Sequence, residues 1–270
     1  MMKKYLYQTL CLAAALAMTA CTQDELTDDT LPEGMYPLEI GSVTLSAEVS
    51  EQPWGAKSPQ TRVTESADGN SSVWENLDEF YAKTAGANEY GMYRITNAAT
   101  GTVTATRTTY WTKTTEDVTA WYPQSGMVSL ANQSNALAYV LQATTLNASC
   151  NGPVTLNFKH QLAKVRVKAN DVLSSKPVEI SSVEICSSTK CTHTRGGNLI
   201  GSDEDWITMK LVTYDGETCW EANVVPGKTI TRFRINGSTE STLQNNGITP
   251  VAGAVNTITI TVESNTTKKL

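Results

Sequence analysis

Val43, Leu45, Ala47 and Val49 alternate with Thr44, Ser46 and Glu48. Successive side chains of a strand point to opposite faces, so this two-residue rhythm specifies a half-buried strand. It returns near the far end of the chain, where Ile258, Ile260 and Val262 alternate with Thr257, Thr259 and Thr261. Between these two, strands are predicted over 78–84, 90–96, 102–111, 117–122, 137–143, 154–158, 162–169, 178–186, 206–212, 218–224 and 229–235. No segment of the first half carries the 3.6-residue apolar stripe of a helix. The 39 threonines suit this reading, because a β-branched side chain sits well on the wet face of a sheet. The expected class is all-β. The 40 % hydrophobic content is enough to bury a real core.

Turn residues divide the strands. Gln52 to Gln60, which holds Pro53, Gly55 and Pro59, interrupts the chain after the first strand. Asn147 to Pro153 is punctuated by Asn, Gly and Pro and is the expected boundary between two β-sandwiches, 36–150 and 151–265, with a polar tail at 266–270.

The first twenty residues read as an address. Lys3 and Lys4 precede an apolar run from Tyr5 to Met18, of signal-peptide length and short for a bilayer span. The run ends Met18-Thr19-Ala20-Cys21, which resembles a bacterial lipoprotein box. Cleavage between Ala20 and Cys21 would free Cys21 for lipidation, and two or three acyl chains anchor firmly. An ordinary secretory cut near Ala20 is the alternative. The stretch 21–35 begins with an acidic run through Asp29 and reads as a solvated tether. It also resembles the acidic signal that exports some lipoproteins of Gram-negative gut and oral anaerobes to the outer surface. The whole chain has 21 basic and 27 acidic residues. Loss of Lys3 and Lys4 with the signal leaves 19 against 27, a net charge of -8. Such a balance argues against a nucleic-acid partner.

Four local patterns together resemble the fimbrillin family, the type V pilins and fimbrillin-like surface lipoproteins. They are the lipobox with its acidic tether; Thr61-Arg62-Val63-Thr64 followed by Val73-Trp74-Glu75 and Leu77-Asp78; Tyr110-Trp111 before Val118-Thr119-Ala120-Trp121-Tyr122-Pro123; and Leu156-Asn157-Phe158-Lys159-His160-Gln161-Leu162-Ala163-Lys164-Val165-Arg166-Val167. The last is the most specific. The resemblance implies two tandem transthyretin-like β-sandwich domains and a non-enzymatic role as subunit, anchor or tip adhesin of a cell-surface fimbria. It implies other fimbrial subunits as partners, the outer membrane through the lipid, and a host or bacterial surface ligand. It also implies a protease cut after an arginine that follows the first strand. Arg62 is the first arginine of the chain and stands after strand 40–49 in a turn-rich loop, so the bond to Val63 is the expected maturation site. Loss of the strand would open a slot for a strand from another subunit. Residues 251–262 have the alternation of a donor, or of the closing strand of the second sandwich. The rival reading is a non-polymerising surface lipoprotein that binds glycans on exposed aromatics.

Other chemistry finds little support. Cys186 and Cys191 flank four residues, so a hairpin would bring them face to face as a disulfide; buried free thiols are the alternative. Cys186, Cys191 and His193 lack a fourth ligand at zinc spacing, and no metal or other cofactor is expected. His160 has no neighbouring nucleophile. Asp203-Glu204-Asp205 lacks the spaced ligands of a calcium loop and reads as a solvated turn. The tryptophans are expected in the core. No GxSxG and no phosphate loop is present, and no enzyme activity is expected.

Overall fold

A computed structural model describes residues 30–46, 64–65, 72–171 and 179–262, apart from 196, 215, 239 and 245. Cys21, Arg62 and Val63 lie outside these residues, as do strand positions 47–49 and the tail 266–270. All regular structure among the described residues is strand. The described residues from Leu31 onward fall in one compact unit.

The first sheet holds β1 (Ile40–Ser46), β4 (Glu79–Thr84), β5 (Gly91–Asn97), β6 (Thr102–Arg107), β7 (Thr115–Tyr122), β9 (Leu141–Ser149) and β10 (Val154–His160). Their spatial order is β1-β10-β9-β7-β4-β5-β6. Every pairing is antiparallel except β1 with β10, which run parallel. The sheet curls until its two edges approach, and the Val43 N–H of β1 donates to the Gly101 carbonyl, next to β6, at 2.9 Å. Inside the curl Phe80, Tyr93, Ile95, Val118, Ala120, Leu156 and Phe158 are buried. The aromatics interlock: Phe158 meets Trp74 and Phe80 edge-on at 5.0 and 5.1 Å, and Phe80 stacks on Tyr93 at 5.6 Å.

Two further sheets face each other across a second core. One has the order β14 (Lys210–Tyr214), β15 (Glu217–Val224), β11 (Ala163–Asp171), β18 (Val255–Val262). The other has β13 (Leu199–Thr208), β12 (Val183–His193), β16 (Arg232–Ile235) and β17 (Ser241–Thr242), with β8 (Met127–Ser129) also pairing β12. Val165, Val167, Trp220, Ala222, Val224, Ile258 and Ile260 from the first meet Val183, Ile185, Cys191 and Ile207 from the second. This arrangement is a sandwich. A short ladder, β2 (Thr64–Glu65) with β3 (Ser72–Val73), completes the fold.

The expected boundary at 150/151 is displaced. Asn147 to Pro153 covers the end of β9 and its turn into β10, both strands of the first sheet. Asn147 sits at φ 49°, the left-handed conformation a turn asparagine tolerates. Asn, Gly and Pro mark a reversal whether or not the next strand stays in the same sheet. The chain leaves the first sheet after His160 and enters the next at Ala163. Nor do the two cores divide cleanly along the sequence, since Leu130 and Val140 belong to the second. Strand limits also shift: 102–111 stops at Arg107, 137–143 begins pairing only at Leu141, and 206–212 breaks at Met209 into β13 and β14.

Candidate functional site: the slot that holds the first strand

β1 is laid into the first sheet by its alternation. Val43 and Leu45 point into the core beside Leu156 and Phe158, their register partners on β10. Thr44 points outward and donates to Asn157 Oδ1 at 3.1 Å, while the Ser42 and Thr155 hydroxyls lie 3.4 Å apart. Leu38 and Ile40 are buried in the same core. Upstream, the segment from Leu31 is pinned by Leu31 N–H to the Thr112 carbonyl, Trp111 N–H to the Tyr36 carbonyl, and Leu38 N–H to the Thr109 carbonyl. The Tyr93 hydroxyl donates to the Leu38 carbonyl at 2.9 Å.

The two edges of β1 are held unequally. Toward β10 it has a parallel ladder from Ile40 to Ser46. Toward β6 it has the Val43–Gly101 hydrogen bond. Beside that bond is a cavity of about 260 Å³ whose lining includes Val43, Leu45, Val73, Trp74 and Gly101. Gly101 has φ 67°, and a Cβ there would lie 2.1 Å from the Val43 carbonyl oxygen, so only glycine fits this close approach. Val73 pairs with Thr64, the first described residue after Val63. A cut between Arg62 and Val63 would therefore leave β2 and β3 on the body and release β1 from it.

The C-terminal strand has its own place. β18 runs parallel to β11 from Lys164↔Val255 to Asp171↔Val262, and it buries Ile258 and Ile260. It thus closes the second sandwich, the use that competes with a donor role. It is an edge strand, and a groove of about 480 Å³ lined in part by Phe233, Leu243 and Ile248 runs along it.

The remaining candidates are dispersed. Cys186 and Cys191 lie on the single continuous strand β12, not on two arms of a hairpin. Five residues of strand span about 16 Å, against the ~7 Å limit between bridged Cα atoms. Both are free thiols, so this pair forms no disulfide. They also face opposite ways: Cys191 enters the second core, while Cys186 accepts Arg232 Nη2 at 2.8 Å on the outer face. Burial pushes the Cys191 thiol up to about 11. It also raises Cys186, an effect the Arg232 charge opposes and Glu204 reinforces. Asp203, Glu204 and Asp205 fall within strand β13 rather than in a turn. Consecutive strand residues alternate sides, so these carboxylates diverge to separate cations: Asp203 to Lys190 at 2.7 Å and Glu204 to Lys228 at 2.6 Å. His160 is buried, and desolvation, aided by the Lys164 charge, holds its pKa well below the ordinary value. Among the described tryptophans, Trp74, Trp111, Trp121 and Trp220 are buried. Trp206 is half-buried with the Arg234 guanidinium 4.6 Å from its ring centre. The flat exposed indoles that a glycan platform needs are not among them.

Gly101 and the segment 31–38 carry no distinctive mark in the sequence. The segment lacks alternation and so gave no strand signal; Gly101 was visible only as one glycine among 17.

A family model described as fimbrillin-like matches residues 61–270. Among solved structures, a candidate cell adhesion protein from Bacteroides uniformis superposes with a TM-score of 0.57 at 19 % identity, over 87 % of this chain and 95 % of that one. Another from Bacteroides ovatus gives 0.55 at 13 % identity, over 85 % and 93 %. No curated protein sequence matches the chain.

Proposed function

The chain belongs to the fimbrillin-like family, and from that premise we propose that it is a structural component of a cell-surface fimbria, as shaft subunit, anchor or tip, without catalytic activity. It reaches the surface as a lipoprotein acylated at Cys21, and its slot exchanges β1 for a strand of another subunit. One observation carries this reading: β1 lies between two sheet edges, with a parallel ladder on one side and the Val43–Gly101 hydrogen bond described above on the other.

The energetics fit such an exchange. Leu38, Ile40, Val43 and Leu45 are all buried. At roughly 1.5–3 kcal/mol per buried aliphatic side chain, the four together hold β1 and the segment leading into it by roughly 6–12 kcal/mol gross. An uncut β1 therefore stays in place as part of the same chain. Once the covalent link is severed, that attraction is available to any strand of like alternation, which restores both apolar burial and backbone pairing. Cleavage after Arg62 is the step that turns a stable precursor into an acceptor.

N-terminal sequencing of the protein recovered from cell-surface filaments tests this. A start at Val63 is expected. A single start at Cys21 in assembled filaments overturns the cleavage-driven exchange.

A further inference from the structure

A second buried site lies on the far side of the sheet that carries β11 and β15. These strands are antiparallel neighbours, with Lys164 directly opposite Asn223 and Arg166 opposite Glu221. Val165, Val167, Ala222 and Val224 turn to the second core, so Lys164, Arg166, Glu221 and Asn223 share the other face. That face is not open to water: Lys164, Glu221 and Asn223 are each 0 % exposed. Part of the cover comes from the segment around Gln133. Its Nε2 donates to the Asn223 carbonyl at 2.8 Å, and its Oε1 accepts the Asn223 N–H at 3.0 Å.

The groups within are arranged for chemistry. Lys164 Nζ lies 3.4 Å from Glu221 Oε2. Arg166 Nε donates to Glu221 Oε1 at 2.7 Å, and the Tyr214 hydroxyl donates to Oε2 at 2.9 Å. Asn223 Nδ2 donates to the Ala138 carbonyl at 2.8 Å, while its Oδ1 is buried with no hydrogen-bond partner. A carboxamide is thus fixed in place with its carbonyl bare, opposite a buried amine and beside a buried carboxylate.

We propose that Lys164 and Asn223 join in an intramolecular isopeptide bond, with Glu221 moving the protons. Cβ atoms of directly opposed residues stand about 4.5–5.5 Å apart, so rotation about the outer lysine torsions brings Nζ to the Asn223 Cγ. Glu221 takes a proton from the lysine ammonium, and the freed Nζ lone pair attacks Cγ. Glu221 passes that proton to Nδ2, the Cγ–Nδ2 bond breaks, and Glu221 then takes the second proton left on Nζ and hands it to the departing ammonia, which leaves as ammonium. One C–N bond forms and one breaks, no electron is transferred, and no co-reactant is needed. Arg166 and Tyr214 keep both Glu221 oxygens oriented, and the Ala138 carbonyl orients the leaving amide nitrogen. The product is a neutral amide, with Arg166 and Glu221 left as a balanced pair. Exclusion of water removes the competing hydrolysis. This inference stands apart from the fimbrial reading and survives its failure.

Peptide mapping by tandem mass spectrometry of the full chain, purified folded and then denatured, tests it. A branched peptide joining Lys164 to Asn223, lighter than its two parts by one ammonia, is expected. Linear peptides carrying unmodified Lys164 and Asn223 from the folded protein overturn the proposal and leave an ion cluster alone. Glu221→Gln should slow formation of the branched peptide by roughly 10²–10⁴-fold, the usual span for a lost proton-transfer group. Unchanged formation in that variant removes Glu221 from the reaction. If Glu221→Gln does not fold, the map of the natural protein decides by itself.

Discussion

Gly101, His160 and the cysteines carry the predictions that belong to single residues. A methyl group at Gly101 would collide with the Val43 carbonyl and force an unfavourable φ. Gly101→Ala should cost about 1–3 kcal/mol, read as a lowered Tm, and should raise hydrogen exchange most along β1. His160 supplies a pH dependence whose sign follows from its burial. Its folded pKa lies well below the ordinary 6.5. Below about pH 6.5 the unfolded chain therefore binds a proton that the folded chain refuses, and stability is lost as pH falls through that window. The loss should reach on the order of 1–2 kcal/mol by about pH 5, since one unit corresponds to about 1.4 kcal/mol. Thermal unfolding across this range should show it, and His160→Gln should flatten that part of the curve. Cys186, Cys191 and Cys219 are buried thiols whose pKa values burial raises, whereas Cys150 is partly exposed. Alkylation of the folded protein should label Cys150 first, and a denaturant should be needed for the other three.

For elements, the test is whether β1 behaves as a strand held by its buried side chains. Leu45→Ala removes a side chain packed in the first core and should destabilise by about 2–5 kcal/mol. Thr44→Ala, on the outer face of the same strand, should stay within about 1 kcal/mol because it loses one exposed hydrogen bond. Chemical denaturation of both variants checks the contrast; equal effects would mean that β1 is not seated through its inner face. The alternation of β1 and β18 was legible in the sequence because a period of two maps directly onto in and out. The hairpin expected at Cys186–Cys191 was not, because Ser187-Ser188-Thr189-Lys190 lacks Gly, Pro and Asn and continues as strand. The acidic run at 203–205 misled in the opposite way: charge marked it as a turn, while pairing to β12 and to cations from neighbouring strands makes it sheet.

For the whole molecule, the proposed exchange has a consequence visible on cells. Arg62→Ala should leave the precursor folded and lipid-anchored but sharply reduce its incorporation into filaments, as counted by immunogold electron microscopy. Filaments formed as in the natural protein would remove cleavage from the assembly step.

Local chemistry was enough to fix several things from the sequence alone: an all-β fold, strands at both ends of the described chain and a likeness to the fimbrillins. Each depends on residues adjacent in the chain, where side-chain period and turn chemistry act. Which strands become neighbours was decided only by tertiary structure. Parallel placement of β1 on β10, the approach of Gly101 to Val43, the entry of Leu130 and Val140 into the second core, and the meeting of Lys164 with Asn223 and Glu221 all join residues distant in sequence. Their partners are selected by packing of the whole apolar set, and no short window of sequence contains that information.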